Sequence, residues 1–178
     1  MAMIDFSRNH FQLFGLPECF RFDQAMLDRA YQELQGEVHP DRHATADDKE
    51  QRLALQSSAR VNEAYRTLKD PVARAEYLLS LHGIDALDET DTALALEFLE
   101  RQLERREAAA DAAERGDARA LEAIVDEVRT EARELELRVS SLLDTAGAWD
   151  EARGPVRELR FLTKVVDDID VMLDRVDG

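Results

Sequence analysis

A chain of 178 residues, 44% hydrophobic and 35% charged, carries enough apolar side chain for one large domain or two small packed ones. Its 39 acidic and 23 basic residues give a formal charge of −16, which repels phosphate backbones and anionic lipid and so argues against nucleic-acid and membrane partners. The single cysteine, Cys19, excludes an internal disulfide and a cysteine-only zinc site and fits a reducing, cytoplasmic compartment.

The first residues, Met1 to Phe6, lack the basic start and apolar run of a signal peptide. No run of about 18 apolar residues exists that could cross a membrane. Gly and Pro are few, and no alternating β pattern occurs, so the chain is expected to be all-α. Residues up to about Asn9 show no pattern. Phe11, Leu13, Phe14 and Leu16, stopped by Gly15 and Pro17, predict a short helix or turn that lays two aromatics on a downstream helical hairpin.

Asp23 is placed to cap a long helix through Leu27, Tyr31, Leu34 and Val38, with Asp28, Arg29, Gln32, Glu33 and Gln35 on its solvated face. Pro40 cannot continue that helix. Thr45 and Asp48 have the spacing of a capping box for a second helix, through Leu53, Ser57, Val61, Tyr65 and Leu68 to about Lys69. Asp70-Pro71 restarts the chain as N-cap and first helical residue, and Gly83 closes that short helix. The boundary is expected at Gly83 to Asp91.

Three further helices come next. The first spans about Asp91 to Glu114 and ends at Gly116-Asp117. The second carries Leu121, Ile124, Val128, Leu135, Val139 and Leu142 and stops at Gly147. The third carries Ala152, Val156, Leu159, Leu162, Val166, Ile169 and Leu173. Short connections predict a three-helix bundle. In the third helix Phe161 lies about 200° from Leu159, on a second apolar stripe with Val165 and Met172, and it is expected to be exposed. In the first, Leu96, Leu99 and Leu103 form one stripe and Ala95 and Phe98 another.

The chemistry-bearing stretch is Glu37 to His43, a turn between antiparallel helices with His39, Asp41 and His43. Imidazole and carboxylate together can bind a transition metal, can be a solvated turn, or can dock a partner. There is no Gly-rich phosphate loop and no nucleophile with an orienting base, so an enzyme is not expected.

A helix ending in His39-Pro40-Asp41, then Asn62-Glu63-Ala64-Tyr65-Arg66-Thr67-Leu68 and Asp70-Pro71, resembles a J-domain. Phe11 to Pro17 opens that resemblance and Arg74 to Gly83 closes it. With Phe98-Leu99 through Glu107, and Val156 through Leu162, the chain from about Asn9 onward resembles the HscB family, the J-type co-chaperones of iron–sulfur cluster assembly.

The resemblance implies an L-shaped all-α protein with a J-domain over 1–82, a linker over 83–90 and a C-terminal three-helix domain over 91–178. It implies docking of a DnaK-type (HscA-like) chaperone and stimulation of its ATPase through His39, Pro40 and Asp41, flanked by Arg29 and Arg42. The helix before the tip departs from the basic face usual in J-domains, because it also carries Asp28, Glu33 and Glu37. An IscU-type scaffold protein would be held by Leu99, Leu103, Glu104, Glu107, Asp111 and Phe161, with Glu100 where the family can have an apolar residue. No cofactor and no bound metal are implied, and a monomer is expected. The alternative is a J-protein of a general chaperone system with a different client.

Overall fold

The computed structural model describes residues 4–39, 47–86 and 96–177. Among these, the regular elements are all helical: α1 (His10–Leu13), α2 (Gln24–Val38), α3 (Asp48–Lys69), α4 (Pro71–Leu81), α5 (Leu96–Glu114), α6 (Ala118–Ser140), a π-helical turn (Ser141–Ala146) and α7 (Trp149–Asp177). The all-α expectation holds. The chain divides into two compact units between Leu78 and Leu79, inside α4. Of the stretch expected as a linker, 83–86 are described and 87–90 are not. The expected start of the first bundle helix, 91–95, also lies outside the described residues.

In the N-terminal unit α2 and α3 form the expected hairpin, with α1 packed on α3. Asn9 opens α1 with a reciprocal cap: its side chain accepts from the Gln12 amide at 2.8 Å, and the Gln12 side chain accepts from the Asn9 amide at 3.2 Å. Phe11, Phe14, Leu16 and Phe20 are buried, as are Leu27 and Val38 of α2 and Val61, Ala64 and Leu68 of α3. Asp23 caps α2 as expected, accepting from the Ala25 amide at 3.0 Å. The cap of α3 is Asp47, which accepts from the Glu50 amide at 2.7 Å, not Thr45. With Asp48 already the first helical residue, the residue before it holds the capping position and its carboxylate reaches the third helical amide.

The legs of the hairpin are locked by a polar pair inside their apolar seam. The rings of Tyr31 and Tyr65 stack with centroids 4.0 Å apart. The Tyr31 hydroxyl donates to Asn62 Oδ1 and the Tyr65 hydroxyl donates to Asp28 Oδ1, both at 2.9 Å. Asp28 is therefore half-buried and bonded, where helical spacing alone placed it on the solvated face. Lys69 Nζ donates to the Tyr65 hydroxyl at 2.8 Å, and that bond holds its ammonium above the usual lysine range.

Asp70 accepts from the Ala73 amide at 2.7 Å, making it the expected cap of α4. Asp70→Ala is expected to lower the unfolding free energy by about 1 kcal/mol, measured by urea titration. The Arg74 guanidinium lies over the rings of Phe20 and Phe22, 4.9 and 4.8 Å from their centroids, and Nη1 donates to the Leu68 carbonyl at 2.8 Å. Gly83 ends α4 at φ +76°, where a side chain would be strained.

His10 is 4% exposed, stacks on Tyr77 and has an Nδ1 without a hydrogen-bond partner. Burial, then the charge of Arg60, pushes its pKa below the ordinary 6.5. The unfolded chain therefore binds the proton more readily than the folded one. The stability that comes from keeping this imidazole neutral is complete above the unfolded pKa and lost as pH falls below it. The unfolding temperature should begin to fall as pH drops below the ordinary histidine value of 6.5, and His10→Phe should flatten that part of the profile.

In the C-terminal unit α6 packs along α7, and α5 packs against both. Ala109, Ala112, Leu121, Val125 and Ile169 form a buried cluster, with Val165, Val166, Met172 and Leu173 packed against it. The Ala-rich part of α5 thus lets the helices approach closely. Arg101 and Arg105 of α5 pair with Glu131 of α6, and Arg129 of α6 pairs with Asp170 of α7 at 3.2 Å.

One feature of this unit differs from the expected pattern. The second helix widens into a π turn before stopping at the expected Gly147, which sits at φ +60°. The third helix carries its stripe from Ala152 through Val156 as expected, across Pro155, which cannot donate to the carbonyl four residues back. Burial of the Pro155 ring and the long apolar stripe beyond it keep the helix continuous.

Candidate functional sites

The first candidate is the tip of the hairpin. The helix α2 ends at Val38, which is buried, and His39 leaves it in an extended conformation at φ −60°, ψ 127°. Pro40 is the cause, because its ring disfavours a helical residue before it. The imidazole of His39 is thereby carried to the exposed end of a buried seam. Pro40, Asp41, Arg42 and His43 lie outside the described residues, so the structure neither groups nor separates the proposed tip residues. Arg29, Glu33 and Glu37 are exposed on α2, so that leg presents mixed charge. Among the described residues, no group of three or more His, Cys, Asp or Glu is arranged to hold a metal ion.

The second candidate is one flank of α5. Phe98, Gln102 and Ala109 are buried, and the residues beside them on the helix are open. Leu96 is 70% exposed, Leu99 39% and Leu103 59%. Three large apolar side chains at i, i+3 and i+7 make a solvent-facing strip, which a monomeric surface seldom carries without use. Leu96 belongs to this strip as fully as Leu99 and Leu103 do, and the spacing already contained that signal. At about 100° per residue, Glu107 lies about 40° beyond Leu103, while Glu104 and Asp111 lie about 100° and 80° round the helix from it. The three carboxylates are exposed. Glu107 borders the leucine strip, and the other two sit on the outer edge.

Phe161 corrects the expectation of full exposure. It is partly buried, and its ring meets Phe98 edge-on with centroids 5.7 Å apart. The central helix of the bundle has neighbours on two sides, so a residue opposite the Leu159 stripe of α7 meets α5. The Phe161 ring is therefore packed on α5 over part of its surface and open to solvent over the rest. Nearby on α7, burial raises the pKa of the Glu158 carboxyl against the opposing pull of Arg138.

A hairpin ending in His39, capped by α1 and followed by α4, together with a family model described as DnaJ domain over residues 9–77, defines a J-domain co-chaperone. A second model, described as HSCB C-terminal oligomerisation domain, matches residues 94–170. The co-chaperone protein HscB homologue of Burkholderia multivorans is 44% identical, over 98% of this chain and 99% of its own. Chaperone HscB from Vibrio cholerae superposes with a TM-score of 0.85 at 35% identity, over 95% of this chain and 99% of that one. Human co-chaperone protein HscB does so with a TM-score of 0.87 at 32% identity, over 94% of this chain and 83% of that one. The chain belongs to the HscB family, the J-domain co-chaperones of iron–sulfur cluster assembly. It is a co-chaperone and not an enzyme. No helix among the described residues is long and apolar enough to cross a membrane.

Proposed function

We propose that this protein stimulates the ATPase of a DnaK-type, HscA-like chaperone and delivers to it an IscU-type iron–sulfur scaffold. In this reading His39, Pro40 and Asp41 engage the ATP-bound chaperone, with Arg29 and Arg42 alongside. Leu99, Leu103, Glu104, Glu107, Asp111 and Phe161 hold the scaffold, and Leu96 extends that face. The observation that carries the reading is the open leucine strip on α5 of a chain that also has a His-Pro-Asp hairpin. One unit would address the chaperone while the other holds its client, so hydrolysis is triggered where the client already is.

A charge-assisted bond from the Asp41 carboxylate to an arginine of the chaperone suits a rigid turn, because Pro40 limits the ordering entropy lost on docking. The mixed charge of α2 makes long-range steering weak and leaves recognition to the tip. The protein works as a cytoplasmic monomer and needs no cofactor.

A fragment of residues 79–178 tests this division of labour. It is expected to be helical by circular dichroism, to bind the scaffold with near full-length affinity by calorimetry, and to leave chaperone ATPase at its basal rate. A folded fragment that does not bind scaffold would move the site out of the bundle. Binding of other clients in preference to the scaffold would favour a general J-protein.

A further inference from the structure

Between α5 and α7 runs a groove of about 440 Å³ that the leucine strip does not account for. Its floor is apolar: Ala109 of α5 and Val165, Ile169 and Met172 of α7, with Phe161 beside them. Its rim is basic. Arg106 comes from α5 and Lys164 and Arg175 from α7, against one carboxylate, Asp168.

That excess is unusual here, because acids outnumber bases 39 to 23 in the chain. The bundle also pairs other arginines of these helices: Arg101 and Arg105 with Glu131, and Arg129 with Asp170. Among the side chains that are described, Arg106, Lys164 and Arg175 form no ion pair. Three exposed cations without partners, over a floor of adaptable side chains including Met172, are complementary to an acidic segment that also carries apolar side chains.

Continuity identifies the occupant. Phe161 lines the groove and also belongs to the proposed scaffold face. Arg106 lies about 60° round α5 from Leu103 and about 20° from Leu99, so the leucine strip passes into the groove's rim without a break. We infer that the groove is a second half of the scaffold site and takes an acidic segment of the scaffold, with apolar side chains on the floor and carboxylates against Arg106, Lys164 and Arg175. This rests on the reading that the leucine strip binds the scaffold. The strip supplies the apolar anchor, and the groove supplies charge selectivity in a protein whose net charge otherwise repels acidic partners.

The test compares two full-length variants, each checked for an unchanged unfolding midpoint. Arg106→Gln/Lys164→Gln/Arg175→Gln removes the rim charges while keeping similar side-chain length and helix propensity. Leu99→Ala/Leu103→Ala removes the strip. Affinity and association rate for an IscU-type scaffold are measured from about 50 mM to about 500 mM salt. The expected result is an association rate about tenfold lower for the Gln variant at low salt, a difference that closes at high salt, with affinity also lowered in the Ala variant at every salt. Normal binding by the Gln variant, with the Ala variant impaired, would overturn the groove and leave the strip standing. Normal binding by both would overturn the strip and the groove with it. Self-association of this chain that the Gln variant alone abolishes, with scaffold affinity unchanged, would assign the groove to a second copy and overturn the inference.

Discussion

Replacing His39 by Gln, or Asp41 by Asn, is expected to reduce stimulation of the partner chaperone's ATPase to the unstimulated rate while leaving helicity and the unfolding temperature near wild type. The helix α2 has already ended when the chain reaches His39, and the last buried residue of the leg is Val38. His39 is exposed, and substitutions on a solvated surface usually alter stability by no more than about 0.5 kcal/mol. The hairpin is set elsewhere, by Leu27, Val61 and Leu68 in the seam and by the two tyrosine hydroxyl bonds. The proposed role of the tip can therefore be tested apart from the stability of the hairpin. Steady-state ATPase with increasing co-chaperone checks this. Wild-type stimulation by either variant would remove the J-domain mechanism from the protein.

The same separation explains what was legible in the sequence. Apolar spacing located α2, α3, α6 and α7, because each buries a continuous stripe and a stripe is a property of residue order alone. Caps were legible where one side chain could act, as at Asp23 and Asp70. Where two polar residues competed, as at Thr45 and Asp47, spacing could not decide between them. Asp28 looked solvated because its partner, Tyr65, is 37 residues away and no local pattern encodes that bond. The π turn after Ser140 buries Leu143 where regular helical spacing selected Leu142, a shift that no local pattern in the residue order encodes. The stripe from Ala152 to Val156 already carried α7 across Pro155, and the structure places that residue inside the helix with its ring buried. At the candidate site, Leu99 and Leu103 were legible as a strip. The half-burial of Phe161 was not, since it depends on where Phe98 lands.

That difference between the leucines and Phe161 makes the proposed scaffold face separable by experiment. Leu99→Ala/Leu103→Ala should weaken scaffold binding about thirtyfold or more, taking on the order of 1–2 kcal/mol for each apolar anchor and allowing for non-additivity. Its cost to folding should be small, because both side chains are already in water over much of their surface. Adding Leu96→Ala should deepen the loss of affinity with equally little effect on stability. Phe161→Ala should behave differently. It removes a ring that packs on Phe98, so roughly 1–3 kcal/mol of stability goes with it, less than the 3–5 kcal/mol of a fully buried phenylalanine. Urea unfolding and calorimetry on the same samples then give distinct signatures: affinity lost at constant stability for the leucines, and both lost for Phe161. A large drop in the unfolding midpoint of the leucine variant would show that the strip is core in solution, and unchanged affinity in a stable one would place the scaffold elsewhere. The extra ATPase stimulation produced by scaffold should fall in step with the measured affinity, whereas stimulation by the co-chaperone alone, for which we propose His39-Pro40-Asp41, should persist.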